Sequence, residues 1–151
     1  MSSLTTFEVI PLPTLVERVR EMRAANARLV QIGATTFPDQ IELNYSFDCQ
    51  GTLQNLRVFV PRDAAVVPSI SAIYWCAFIY ENEIHDLFGV RVDDMAIDFH
   101  GQFYQTAVKY PFGSRRAPAA PATASTASPA SPAARADAAP APAGNGQAFA
   151  V

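Results

Sequence analysis

The sequence is poor in the residues that build metal, nucleotide and nucleic-acid sites. It has only two cysteines and two histidines among 151 residues. Its seven glycines are scattered, so the sequence contains no glycine-rich phosphate loop. Lysine and arginine number 11 against 14 acidic residues, which argues against nucleic-acid binding because that function depends on clustered basic residues. No apolar run approaches the roughly 20 residues of a membrane-spanning helix.

Two further features of the sequence bear on the cellular compartment of the protein. The first residues lack a basic segment followed by an apolar run, so we expect no signal peptide. Cys49 and Cys76 stand far apart and outside any CxxC pair, which is typical of a reduced cytoplasmic setting rather than of a disulfide framework.

The composition changes abruptly near residue 114. From Arg115 onward, 22 of 37 residues are alanine or proline, a composition that buries too little apolar surface to fold. We therefore predict one domain over 1–113 and a disordered Ala/Pro-rich tail over 114–151. The tail carries three arginines and one aspartate, so the domain has a net charge of −5 within the total of −3.

Hydrophobic periodicity predicts an α+β fold. Between residues 41 and 48 apolar and polar side chains alternate strictly, as in a strand with one buried face. Short turns between successive strands predict an antiparallel sheet of about four strands, with two helices packed on it. The predicted strands lie near 6–10, 29–37, 41–48 and 56–60, and the predicted helices near 15–27 and 70–88.

Three carboxylates in the second predicted helix are the most informative feature. Glu81, Glu83 and Asp86 lie in a helix that we expect to be mostly buried, and an unpaired buried charge is unfavourable. From Glu81 to residue 98 there are six acids and a single arginine, Arg91. We therefore expect arginines from the chain's own loops or from another protein to pair with these acids.

The second helix has two apolar faces. Tyr80, Ile84, Leu87 and Phe88 fall on one arc, which we expect to dock on the sheet, and Gly89 suits the left-handed position that ends a helix.

The other face carries Trp75, Phe78 and Ile79 beside polar residues. Either a partner protein covers this face, or the later segment 97–112 folds back over it; the sequence leaves both open.

Few sets of side chains in the sequence are candidates for a metal site or a catalytic site. Glu81 and His85, four residues apart, with His100 from the later segment, are the only candidate metal ligands, and the set is small for a metal site. Glu83 and Asp86 could form a carboxylate pair for acid–base work, but no nucleophile or anion-binding loop accompanies them. A further alternative is a free-standing interaction module that recruits a partner through its tail.

The helix resembles a known signature. Glu81-x-Glu83-x-x-Asp86-x-Phe88-Gly89 is similar to the helix of the respiratory-chain NADH dehydrogenase thirty-kilodalton subunit family, which typically reads E-R-E, two residues, D, one residue, F-G-I. Upstream, the segment 67–70 resembles the family's V-P-S-L lead-in. The strong likeness covers 67–90, and the order of elements extends it over about 6–112.

Two departures refine the likeness. Asn82 stands where the family typically has arginine, and the segment 93–101 replaces the G-H-P-D-L-R-R-I-L run usual in complex I. The shorter ending, with Met95-Ala96-Ile97-Asp98 and Pro111-Phe112, is more similar to the small hydrophilic subunit of Ech-type energy-converting nickel–iron hydrogenases.

The resemblance implies a non-catalytic hydrophilic subunit without a cofactor of its own. Such subunits pack against the large subunit, which carries the nickel–iron site or helps form the quinone site, while iron–sulfur clusters reside in neighbouring subunits. They lie on the cytoplasmic face of the membrane and are held there through the complex. The resemblance also implies that Glu81, Glu83, Asp86, Phe88 and Gly89 serve subunit contacts or structural ion pairs. The periodicity of the helix adds Trp75, Phe78 and Ile79 as a candidate apolar interface. A subunit of an NADH–quinone oxidoreductase is the alternative.

Overall fold

The computed structural model describes residues 5–113, so the predicted tail over 114–151 lies outside the described residues. The described part has the α+β class expected from the sequence, with a four-stranded sheet, a two-stranded sheet and two helices. The strands are β1 (Thr5–Val9), β2 (Arg28–Thr36), β3 (Gln40–Cys49), β4 (Thr52–Pro61), β5 (Val66–Pro68) and β6 (Arg91–Asp93), and the helices are α1 (Leu15–Ala24) and α2 (Ala77–Phe88).

The larger sheet has the order β1-β4-β3-β2. Its β2, β3 and β4 strands form an antiparallel meander, as predicted. Gln50 and Gly51 connect β3 to β4, and both have positive φ angles, which is the conformation of a two-residue hairpin turn.

The sheet is mixed rather than wholly antiparallel, because β1 pairs with β4 in parallel. Parallel strands need a long crossover connection, and α1 supplies it between β1 and β2 at opposite edges of the sheet. The antiparallel prediction fails at β1 since it assumed that each strand pairs with the next one along the chain.

The core lies between one face of this sheet and the two helices. Alternate residues of β3 point into it, and their antiparallel partners on β4 share the same face. From α1 the buried residues recur at helical spacing. The core residues of these three elements are Ile41, Leu43, Tyr45, Phe47, Leu56, Val58, Val60, Leu15, Val19 and Met22.

The second helix starts later than predicted, at Ala77 rather than near residue 70. Residues 70–76 form turns instead, in which the Ile70 carbonyl accepts hydrogen bonds from the N–H groups of Ile73 and Tyr74. Ile70 and Tyr74 are buried in these turns, whereas Trp75 and Cys76 are exposed, so the apolar composition of this stretch does not mark a continuous helix. None of the helices within 5–113 has the length and apolar content needed to cross a membrane.

Candidate functional site

Glu81 is buried in α2, and its carboxylate is bound entirely by its own chain. Its Oε1 accepts the Ile70 N–H at 2.7 Å, and its Oε2 accepts the Ser69 hydroxyl at 2.7 Å. The lead-in segment and the first acid of the signature, which are about ten residues apart in sequence, therefore meet in the fold. The carboxylate holds the turn that precedes α2.

The Glu81 contact extends into a small hydrogen-bond network. The Ser69 and Ser71 hydroxyls lie 2.6 Å apart, and Ser71 Oγ accepts the Ala96 N–H at 2.9 Å. Burial raises the pKa of the Glu81 carboxyl, and the hydrogen bonds from Ile70 and Ser69 oppose this only in part. The network ties the lead-in, the helix and the segment after β6 together.

Asp86 is also buried, and it binds residues 97–113, which fold back along α2 and which we call the returning segment. Its Oδ2 accepts the Tyr104 N–H at 2.8 Å, and its Oδ1 lies 3.0 Å from His85 Nδ1. A carboxylate that accepts a backbone N–H is a strong, directional anchor. Asp86 thus fixes a loop that has no regular secondary structure.

Asn82, at the position where the family typically has arginine, is fully buried and makes three hydrogen bonds. Its Nδ2 donates to the carbonyls of Phe78 and Ile97, and its Oδ1 accepts the Phe99 N–H at 2.9 Å. A neutral amide can both donate and accept here, which an arginine could not do. Asn82 therefore joins α2 to the returning segment.

The end of α2 is closed by the same segment. Gly89 has a φ of 75° in the left-handed region, as predicted, and its N–H bonds to the His85 carbonyl. The Phe112 N–H donates to the Leu87 carbonyl at 2.9 Å, and the ring of Phe112 lies 5.6 Å from that of Phe88. Phe88 thus packs on the segment 97–112, although its arc was expected to dock on the sheet. On the second face, the same segment folds back over the C-terminal half, where it bonds to Asn82 and Asp86.

The N-terminal half of that face remains open. Trp75 is 62% exposed and Ile79 is 42% exposed, while Phe78 is half-buried with its ring 5.7 Å from that of Trp75. Glu83 follows Ile79 by one helical turn and is half-buried, yet no hydrogen bond or ion pair joins it to any residue within 5–113. We call Trp75, Phe78, Ile79 and Glu83 the open stripe.

The arginines expected to pair with the signature acids are not used for this purpose within the described residues. Arg91 bonds instead to Asp93, with Nε 2.9 Å from Oδ1. Glu81 and Asp86 are bound by N–H groups, a hydroxyl and a histidine. Own-chain arginines are thus not the partners of these two acids within 5–113, because folding places backbone donors of the turn and the returning segment against them. Pairing with an arginine of another protein stays a prediction.

The candidate metal ligands are not brought together. Glu81 faces the turn at Ser69, His85 contacts Asp86, and His100 contacts Asp98 with Nδ1 3.1 Å from Oδ2. Within the described residues, no three His, Cys, Asp or Glu side chains are arranged to hold a metal ion.

Comparison with known proteins identifies the family. Residues 9–99, more than half of the chain, match the sequence model described as respiratory-chain NADH dehydrogenase, 30 kDa subunit. The chain belongs to this family. The match includes the lead-in, the signature helix and the residues Ile97 and Phe99 that Asn82 binds, while Tyr104 and Phe112 lie beyond its end.

Solved structures agree with the family assignment. A chain in the structure of the membrane-bound sulfane sulfur reductase, an archaeal respiratory membrane complex, is 27% identical with a TM-score of 0.59. The match covers 64% of this chain and 61% of that one. The trypsin-resistant fragment (1-134) of Nqo5 is 20% identical with a TM-score of 0.55, covering 62% and 82% of the respective chains, and shows the shared fold. No curated protein sequence matches the chain significantly.

The sequence pointed to the acids of the site but not to the groups that bind them. Ser69 binds Glu81 and Ser71 accepts the Ala96 N–H, although serines just before a helix usually serve as its caps. The structural use of Asn82 was also missed, although an amide in place of a charge within a buried helix is a signal for local hydrogen bonding.

Proposed function

We propose that the chain is a non-catalytic hydrophilic subunit of a membrane-bound energy-converting nickel–iron hydrogenase. It packs against the large subunit, and the nickel–iron site and the iron–sulfur clusters belong to partner subunits. In this proposal the chain carries no cofactor and lies at the cytoplasmic face of the membrane, where the complex holds it.

The family match over 9–99 carries the proposal. The likeness to a chain of an archaeal respiratory membrane complex supports membership of such an assembly. The hydrogenase type is supported by the short ending at Met95–Asp98 and Pro111-Phe112. The second candidate, a subunit of an NADH–quinone oxidoreductase, is favoured by the description of the family itself.

The geometry favours a structural role for the signature acids. Glu81 and Asp86 are both buried and both have their oxygens engaged by the chain's own turn and returning segment. A carboxylate held in this way stabilises a loop and has little freedom to exchange protons with a substrate. Their contribution to a complex is to keep α2 and the segment 97–113 in shape.

The open stripe is the surface we assign to the large subunit. Trp75 and Ile79 expose apolar area, and aromatic residues are enriched in the cores of protein interfaces. Glu83 supplies a half-buried carboxylate without a partner in the described residues. We expect an arginine flanked by apolar side chains on the partner, because such a residue satisfies both features.

Affinity purification of the tagged full chain from native membranes tests the proposal. We expect a nickel-containing large subunit and iron–sulfur subunits to co-purify, together with hydrogen-dependent reduction of an artificial electron acceptor. Co-purification of flavin-containing subunits with NADH oxidation would select the second candidate. Recovery of the chain alone as a monomer would contradict both and favour the free-standing module.

Substitutions on α2 test the assignment of the surface. Glu83→Ala should lower the amount of assembled complex while leaving the free energy of unfolding of the isolated chain within about 0.5 kcal/mol. Arg20→Ala, on the exposed side of α1, is the matched control and should leave assembly unchanged. Full assembly of Glu83→Ala together with Trp75→Ala would contradict the assignment.

A further inference from the structure

The two edges of the larger sheet differ in how their backbone groups are covered. At the β2 edge the chain bulges at Val30, and the Val30 carbonyl accepts the Tyr80 hydroxyl at 3.0 Å. Just before β2, the Ala27 carbonyl accepts the Tyr74 hydroxyl at 2.8 Å. A bulge and a covering helix are two of the devices that prevent a sheet edge from pairing with another strand.

At the β1 edge, residues 5–113 provide neither a bulge nor a covering helix. The Ile10 N–H donates to the Arg57 carbonyl on β4 at 2.9 Å, so Ile10 turns its backbone polar groups toward β4. Because successive residues of a strand point these groups to alternate sides, Glu8 also faces β4 while Phe7 and Val9 face outward. No residue within 5–113 hydrogen-bonds the outward groups of Phe7 or Val9.

The side chains beside this edge are apolar and exposed. Phe7 is 58% exposed and Val9 is 65% exposed, and both lie on the sheet face opposite the helices, level with Asn55 and Arg57 of β4. The Arg57 guanidinium lies 4.3 Å from the centre of the Phe7 ring, and its Nε is 3.5 Å from a Glu42 oxygen. The charge nearest to Phe7 therefore has a partner within the sheet.

The single charge on β1 is also matched by the chain. Glu8 points to the helix side, where its Oε2 lies 2.6 Å from Arg18 of α1. Charged side chains normally protect an edge by disfavouring a new neighbour, but a charge already held in an ion pair gives little such protection. Phe7 and Val9 thus offer outward backbone groups that no residue within 5–113 binds, together with an apolar surface.

We propose that the outer edge of β1 binds an extended segment of another subunit, which adds to the sheet as a fifth strand. In the added segment, every second side chain is apolar and lies beside Phe7 and Val9. The side chains between them are polar and lie near Glu8 and Arg18. The occupant is a different polypeptide rather than a second copy. Two paired five-residue strands alone bury far less than the about 1,200 Å² of a stable interface, whereas a complex with partner subunits also buries the open stripe. This inference rests on the proposed function, since it requires a complex with partner subunits.

A proline substitution tests the edge directly. Val9→Pro removes the outward N–H and blocks an added strand, yet the ladder to β4 does not use that N–H. The isolated full-length variant should keep the thermal unfolding midpoint of the natural chain. When the variant is expressed in place of the natural chain, its amount in the complex purified from native membranes should fall about tenfold. Val9→Thr keeps the N–H and should assemble far better than Val9→Pro.

Hydrogen exchange in heavy water gives an independent readout. In the lone chain the amides of Phe7 and Val9 should exchange fast while that of Glu8 is protected, and in the complex all three should be protected. Unchanged exchange at Phe7 and Val9 within an intact complex would overturn the inference and leave the proposed function standing. A β1 contact with a second copy would overturn it as well. Absence of any complex would end both.

Discussion

The carboxylate of Glu81 accepts the backbone N–H of Ile70 at 2.7 Å, and both groups are buried. This one contact joins the middle of α2 to the turn that leads into it. A buried N–H without an acceptor is unfavourable, so the position of the turn depends on the acid. The signature helix therefore contributes to the fold before it contributes to any complex.

Replacement of Glu81 should separate the hydrogen bond from the charge. Glu81→Ala leaves the Ile70 N–H without an acceptor and should lower the free energy of unfolding by about 1–3 kcal/mol. Glu81→Gln can still accept from Ile70 and donate to Ser69, so its loss should be below about 1 kcal/mol. Denaturant unfolding of the full-length variants measures both. Equal losses for the two variants would show that the charge itself is required.

The raised pKa of Glu81 predicts a pH dependence with a definite sign. Burial makes the folded state hold the proton more tightly than the unfolded state does, so the contribution of Glu81 to stability is fully present below the unfolded pKa. It is lost as the pH rises through the folded pKa. Burial also raises the pKa of the neighbouring Tyr45 hydroxyl, so Tyr45 stays neutral at every pH at which Glu81 titrates.

Comparison with Glu81→Gln isolates this effect. The stability of the natural chain relative to the variant should decrease as the pH rises from about 4 to about 8, because only the natural chain titrates at this position. Urea unfolding at several pH values measures the difference. A difference that grows with rising pH would contradict the predicted sign.

Removal of the Asp86 carboxylate should release the returning segment. Asp86→Ala leaves the Tyr104 N–H without its acceptor, so we expect faster amide exchange and earlier proteolysis between 97 and 113. Glu83→Ala is the matched control, since Glu83 bonds to no described residue and its loss should leave this segment unchanged. As the segment is part of the folded subunit, Asp86→Ala should also lower the amount of assembled complex.

Two glycines with similar backbone angles allow a matched test of packing at the end of α2. Gly51 and Gly89 have φ values of 84° and 75°, so alanine at either position should cost about 1–2 kcal/mol of backbone strain. A Cβ at Gly51 meets nothing within 4 Å, but one at Gly89 lies 3.0 Å from the Tyr110 ring. Thermal unfolding should therefore show a larger loss for Gly89→Ala. Equal losses would mean that Tyr110 moves away freely.

Local patterns predicted those elements whose contacts are local. The alternation over 41–48 is a direct consequence of the two-residue period of a strand, and β3 is present where this pattern placed it. Gly89 ends α2 because the left-handed position favours glycine. The three acids and one aromatic residue of the signature indicate the family, because an amphipathic helix does not by itself require this spacing. These residues are Glu81, Glu83, Asp86 and Phe88.

Pairings between distant residues could not be derived in this way. The sequence by itself determined the class, the strand faces, the end of α2 and the family. Only the tertiary structure decided that β1 runs parallel to β4, that Glu81 binds Ile70, and that Asn82 and Asp86 hold the segment 97–113. The physical reason is that backbone donors are identical along the chain, so the acceptor of each one is selected by packing in three dimensions and not by any local pattern.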